Sequence, residues 1–449
     1  MADLLDILLL RSYNTRLVVL ATTLLGIAAG LVGAFLLLRK RSLMGDALSH
    51  ATLPGIGIAF AVAVSLGFDG KSLPTLLLGA TLSGVAGLLV MLAIRQTTRL
   101  RDDVAMGFVL SVFFGIGIAV LRMVQDLPGA SAAGLESFIY GKTASIVMAD
   151  FILIAIVASI STVVAVVLLK EFLMLCFDEG FAAAQGWPVL LLDIMLLGLV
   201  TLVTVIGLQA VGLILVIAFL ITPPTAARFW THRLPMMLLL SAVIGGASGW
   251  LGASISAMTP NLPAGAVIVL VAGLLFLISM LFAPARGVVP RWVRQRRLKR
   301  KVDRQHLLRA AYEILEKQST ADSVQNRDFP IETLLDKRSW TPGRLQSILR
   351  VARREDHLEP APAGKLRLSE PGFGEAARVT RNHRLWEEYL IRYADIAPSH
   401  VDRDADRVEH ILGADIVRQL EKYLGDRHVD IPVPPSPHRI EPAPEATTA

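Results

Sequence analysis

The first 285 residues of this chain are filled by long apolar runs, and that pattern restricts its fold more than any other feature. A helix needs roughly 20 consecutive apolar residues to cross a bilayer core of about 30 Å. Runs of that size recur at 17–38, 46–66, 73–94, 104–123, 148–169, 189–206, 209–227, 235–256 and 264–283. The stretch 189–222 is too long for one crossing at 1.5 Å per residue, so it is divided between Gly207 and Gly212. Beyond Arg286 charges and helical periodicity return, and the chain ends rich in proline. The expected organisation is an all-α polytopic membrane domain over 1–285 and a basic juxtamembrane linker over 286–302. A winged-helix-like domain (303–375), a helical dimerisation and metal-sensing region (376–425) and a disordered end (426–449) follow.

Charge orients this arrangement. Residues 1–302 hold 22 Lys/Arg against 13 Asp/Glu, whereas 303–449 hold 22 against 25. Odd-numbered spans are followed by Arg39-Lys40-Arg41, by Arg95, Arg99 and Arg101, by Lys170, by Arg228 and Arg233, and by the segment RGVVPRWVRQRRLKRK (286–301). Even-numbered spans are followed by little more than Lys71 and Lys142. The positive-inside bias therefore places the N-terminus outside and the tail in the cytoplasm of a cell-membrane protein, with the 286–301 cluster against anionic lipid. The start MADLLDILLLR has no basic region and no small-residue cleavage site, so it does not read as a removable signal peptide. A lone Cys176 leaves no intramolecular disulfide and no cysteine-based metal site within this chain. No G-x-x-x-x-G-K-[ST] occurs, so the chain is not read as an enzyme and any ATP hydrolysis must come from a partner.

Three stretches of the membrane domain carry chemistry. In LMGDALSHATLPG (43–55), Asp46 and His50 are spaced to share one helix face. Both lie close behind a basic turn, where solvation alone would accommodate them. The competing reading is a cation contact, because a carboxylate and an imidazole suit Mn, Fe or Zn and ionisable groups in spans are functional candidates. Pro54-Gly55 can break the helix there and free carbonyls toward a cavity. The segment KEFLMLCFDEGFAAAQGWP (170–188) reads as a short amphipathic helix, either a surface connection or a docking element for a cytoplasmic partner. In ITPPTAARF (221–229) paired prolines are expected to break a span at its inner end.

These stretches resemble the permease subunits of ABC importers for manganese, zinc and iron. RKRSLMGDALSHATLPGIGIAF is similar to that family's most typical segment, and DEGFAAAQGW resembles its D-x-x-x-A-x-x-x-G coupling loop. VGLILVIAFLITPPTAARF and LPAGAVIVLVAGLLFLIS resemble two later spans, and the likeness covers about 10–285. It implies a permease dimer, of one kind or two, with ATP-binding subunits and an extracellular metal-binding protein as partners. It also implies a coupling role for Asp178, Glu179, Ala182 and Gly186. Asn261 stands where the family has an acidic residue, which weakens an outer cation contact.

The tail reads helix (303–318), helix (FPIETLLDKRSW) and helix (TPGRLQSILRVARREDHLE), then a turn and strand (PAPAGKLRLSEPG). The third helix opens on a Thr cap with proline at its first position, and the order is that of a winged helix-turn-helix. Long helices are expected over 378–393 and 402–425. NHRLWEEYL and ADRVEHILGADIVRQLEKYLG resemble the dimerisation and metal-sensing part of the diphtheria-toxin-repressor-like regulators. That resemblance implies His383, Asp406, Glu409 and His410 as ligands, and the i, i+3, i+4 spacing of the last three agrees with it. Two departures stand out. The first tail helix offers His306 and Arg309 where that family places acidic or soft ligands, and an arginine beside a divalent cation is repulsive. SPHRIEP lacks the glycine of the family's P-H-G-x-P-I-P end. With a net charge of −3 the tail lacks the basic footprint of a DNA binder, so a nucleic-acid partner is not expected.

Two functions remain open at this level. One is a permease subunit of an ATP-driven divalent-metal importer with a fused metal-sensing domain. The other is a membrane-anchored, metal-responsive transcription regulator.

Overall fold

The computed structural model describes residues 12–68, 72–125, 143, 146–258, 262–318, 328–337, 340–393, 414–424 and 433–434. The expected disordered end falls almost wholly outside them, as do Asn261 and residues 402–413. The chain divides into two units, Met1–Arg291 and Trp292–Ala449.

Among the described residues the first unit has nine helical segments long and apolar enough to cross a membrane. In chain order its helices are α1 (Tyr13–Leu38), α2 (Met44–Ala51), α3 (Leu53–Ser65), α4 (Leu73–Thr97), α5 (Asp102–Gln125) and α6 (Met148–Val167). They continue as α7 (Leu169–Phe177), α8 (Glu179–Ala184), α9 (Val189–Val211), α10 (Leu213–Trp230), α11 (Leu234–Met258) and α12 (Ala264–Phe282). The second span is α2 and α3 in series, broken at Thr52. The division of the long 189–222 run comes at Gly212, whose φ of +84° suits glycine.

α1 is the buried axis of this unit and packs against α6, α10 and α11. The expected break at the paired prolines does not occur, because α10 runs through Pro223 and Pro224 to Trp230. Pro224 has no N–H for the carbonyl of Leu220, and Gly33 of α1 sits against that carbonyl instead. A Cβ on Gly33 would lie 2.1 Å from the Leu220 oxygen. Such close helix approach is the role small residues take in membrane bundles.

α13 (Val288–Gln318), which lies in the second unit from Trp292 onward, takes in most of the expected linker and the whole expected first tail helix as one continuous element. Its residues Leu307, Leu308, Ala311, Ile314 and Leu315 are buried at helical spacing. They form a core with Phe329, Leu334, Leu345, Ile348 and Leu349. The order continues as β1 (Asp328–Phe329), α14 (Glu332–Lys337), α15 (Pro342–Arg354), β2 (Leu358–Pro360) and β3 (Leu366–Leu368). The antiparallel sheet has order β1-β3-β2, with Phe329 opposite Leu366 and Leu358 opposite Leu368. Pro342 does start α15, but Thr341 makes no side-chain capping bond. α16 (Glu370–Tyr393) starts eight residues before the expected 378, because Ser369 Oγ accepts from the Gly372 N–H at 3.0 Å and caps it. α16 packs against α17 (Ala414–Leu424).

Candidate functional site: a carboxylate–imidazole pair beside a buried ionic hub

α2 has one face fixed by packing. Met44, Gly45, Ala47, Leu48, Ser49 and Ala51 are buried, and a Cβ on Gly45 would sit 2.6 Å from Leu220 Cδ1 of α10. Asp46 and His50 occupy the remaining face, with His50 Nε2 3.3 Å from Asp46 Oδ1. Their side chains stay 28% and 18% exposed, so the pair is open to a partner or an ion. The His50 ring meets Phe114 of α5 edge-on at 4.9 Å. Its Nδ1 is buried without a hydrogen-bond partner among the described residues. Pro54 has no N–H to offer the His50 carbonyl. The next carbonyl, that of Ala51, accepts from Ser83 Oγ of α4 at 2.6 Å rather than opening toward a cavity. Carboxylate and imidazole are here brought together on one accessible face, and they form a donor set suited to a divalent transition metal.

The turn that launches α2 is held by charge. Arg41 N–H bonds to the Leu36 carbonyl at 2.9 Å and Lys40 N–H to that of Leu37 at 3.1 Å. This is a Schellman closure with Lys40 in the left-handed region at φ +59°. The arginines on either side of Lys40 converge on Asp193 in the second turn of α9. Arg39 Nη1 donates to its Oδ1 at 2.6 Å, and Arg41 Nη1 lies 3.1 Å from the same oxygen. Arg95 Nη1 at the end of α4 reaches its Oδ2 at 2.6 Å. Asp102 takes Arg41 Nε at 2.6 Å, and Glu179 takes Arg95 Nη2 at 2.8 Å and Arg39 Nη2 at 3.3 Å. Three guanidinium groups thus meet three carboxylates, and donors from all three arginines satisfy the nearly inaccessible Asp193. Sequence reading treated these arginines as topology markers and passed over Asp193. The available signal was a single acid inside the apolar run VLLLDIMLLG.

The same hub reaches the segment expected to couple. Asp178 Oδ1 accepts from the Phe181 N–H at 2.8 Å and caps α8. Glu179 faces the hub, Ala182 is fully buried, and Gly186 closes the helix at φ +82°. Of the four residues singled out there, Glu179 and Ala182 face the bundle, and the exposed apolar groups are Phe177, Phe181 and Trp187. α7 is fastened to α1 by Phe172 against Phe35, with ring centroids 5.4 Å apart. Cys176 Sγ lies 3.8 Å from the Phe35 carbonyl, and burial pushes its thiol up to about 12.

In the tail, His383 is buried on α16, with Nε2 3.1 Å from Glu387 Oε1 and Nδ1 2.5 Å from Arg309 Nη1 of α13. Asp406, Glu409 and His410 lie outside the described residues. Among the described residues no group of three or more His, Cys, Asp or Glu could hold a metal ion.

Residues 12–283 match the model of the ABC 3 transport family. The chain belongs to the ABC 3 transport family. Residues 369–438 match a second model, the iron dependent repressor, metal binding and dimerisation domain. The manganese transport system membrane protein MntC of Bacillus subtilis is 38% identical over 392 residues, covering 87% of each chain. The zinc transport system membrane protein TroC of Treponema pallidum is 44% identical over 290 residues, 65% of this chain and 96% of its own. Among solved structures, PsaBC from Streptococcus pneumoniae in complex with Fab is similar at a TM-score of 0.55 and 31% identity. It covers 66% of this chain and 99% of that one. The ABC 3 membrane unit thus carries a repressor-like C-terminal domain, and the alignment to the Bacillus protein extends beyond the membrane unit.

Proposed function

We propose that this ABC 3 permease conducts a divalent transition metal, manganese, zinc or iron, into the cytoplasm, driven by a separate ATP-hydrolysing subunit. The observation that carries the reading is the Asp46–His50 pair, held at 3.3 Å on the one open face of α2. Two donors do not complete the shell of such an ion, so the pair acts with donors from a second permease copy or a related chain. A metal-binding protein delivers the ion on the side opposite the basic turns. Basic turns after odd-numbered spans put the 39–41 turn, α7, α8 and the tail on the cytoplasmic side. There the exposed Phe177, Phe181 and Trp187 offer the ATPase an apolar docking surface. Glu179, bonded to Arg39 and Arg95, carries its movement to the turn that launches α2.

The test is uptake of radiolabelled manganese and zinc by cells expressing the permease with its ATPase and binding protein. Asp46→Ala and His50→Ala should each lower uptake at least about tenfold, since even residues behind metal ligands change affinity by about 10–100-fold. Uptake unchanged in both variants would sink the pathway assignment. Metal-dependent binding of the full chain to an operator, with no uptake, would move it to the regulator class instead.

A further inference from the structure

The corner of the tail that the repressor resemblance assigns to a metal is built around an arginine. Arg309 of α13, with His383 and Glu387 of α16, is almost wholly inaccessible, at 4%, 4% and 3% side-chain exposure. Arg309 Nη1 points at His383 Nδ1 from 2.5 Å, and Arg309 Nε lies 3.3 Å from Glu313 Oε1. His383 Nε2 is 3.1 Å from Glu387 Oε1.

Proton bookkeeping fixes the state of the imidazole. A guanidinium has donors only and keeps its charge at any accessible pH. His383 Nδ1 must therefore accept, and it does so with its one ring lone pair. The ring proton then sits on Nε2 and is donated to the Glu387 carboxylate. A doubly protonated ring would set N–H against N–H at 2.5 Å, which the geometry excludes. Neither nitrogen keeps a lone pair for a metal, and a divalent cation placed beside the inaccessible Glu387 would face the guanidinium across a desolvated gap. The residues present do not fit a metal at this corner.

We propose that Arg309 is a built-in cation that takes a metal ion's place among His383, Glu387 and Glu313, so that His383 is not a ligand. The packing of α13 on α16 is then set without metal at this corner. A second clasp between the same helices points the same way, because Arg384 donates to both oxygens of Glu316, at 2.9 and 2.5 Å. The inference is independent of the transport reading and concerns His383 alone among the four residues implied by the resemblance.

The test is cobalt(II) binding to the full-length chain in detergent, read as bound metal per chain and as visible absorbance. His383→Gln keeps an acceptor for Arg309 and a donor for Glu387, and folding is checked by circular dichroism. It should bind the same number of ions as wild type and show the same cobalt-induced rise in the tail's unfolding midpoint. Arg309→Glu exchanges the internal cation for a carboxylate and should gain one ion per chain, lost again on adding His383→Gln. A folded His383→Gln chain that binds one ion fewer, or a smaller cobalt-induced rise, would overturn the proposal. A folded Arg309→Glu chain that gains none would overturn it too.

Discussion

Asp193, in the second turn of α9, accepts a hydrogen bond of 2.6 Å from Arg39, the residue that caps α1. Some 150 residues of sequence separate them, and Asp193 also receives Arg41 and Arg95. Its carboxylate is only 2% exposed, so its loss would strand positive charge out of water. Removing one partner of a buried pair costs about 3–5 kcal/mol. Asp193→Asn should therefore lower the unfolding midpoint in detergent sharply. Asp102→Asn, whose carboxylate is 37% exposed, should cost about 1 kcal/mol or less. Equal losses in the two variants would show that Asp193 is no hub.

The Schellman turn before α2 predicts an unusual gain. Lys40 is exposed and stands at φ +59° where glycine is the usual residue. The left-handed conformation costs a side-chain-bearing residue about 1–2 kcal/mol, partly offset by the greater freedom of glycine in the unfolded chain. Lys40→Gly should thus be stabilising by about 0.5–1 kcal/mol, and Lys40→Val destabilising, since β-branching opposes positive φ. Unfolding midpoints in the order glycine, lysine, valine would bear this out; the reverse order would refute it.

Cys176 offers a pH-dependent reporter. Burial raises its thiol to about 12 from 9.0, so the folded chain holds the proton more tightly than the unfolded one. The resulting stabilisation is complete below pH 9 and is lost as pH rises from there through about 12. Thiolate is the reactive form, so maleimide should label the native chain at pH 7.5 far more slowly than the denatured chain. As this is the chain's single cysteine, the readout is unambiguous. Equal labelling rates in both states would contradict the packing of α7 on α1.

The membrane unit was largely legible because a bilayer leaves few choices: among the described residues the nine apolar runs became nine helical segments long and apolar enough to cross it, with ends shifted by a few residues. The pairing of Asp46 with His50 was legible for a similar reason, since i,i+4 spacing on a helix fixes proximity. What escaped were relations set by tertiary contact. Pro223 and Pro224 stay within a helix, and Gly33 of another helix packs against the Leu220 carbonyl that Pro224 leaves without an N–H. Arg39, Arg41 and Arg95 read as loop charges because their partner Asp193 is remote in sequence. Ser-Glu-Pro-Gly at 369–372 reads as the end of the turn-and-strand segment, with the helix expected only from 378, although a serine before an acidic residue and a proline also starts a helix.

The coupling segment separates two roles that a single loss of transport would blur. Phe181 is 53% exposed on the outward side of α8, beside Phe177 and Trp187. Glu179 on the same short helix turns inward to Arg95 and Arg39. If the outward side docks the ATPase, Phe181→Glu should leave the fold intact, with a stability change within about 0.5 kcal/mol. It should abolish co-purification of the ATPase subunit, because an aromatic anchor is worth about 2 kcal/mol or more, roughly 30-fold in affinity. Metal uptake would fall with it. Glu179→Gln keeps the docking surface but weakens the link to the turn before α2, so the ATPase should still co-purify while uptake drops. Pull-down and uptake measured on both variants decide the matter. Loss of co-purification in Glu179→Gln, or its retention in Phe181→Glu, would show that the two sides of α8 do not divide docking from transmission.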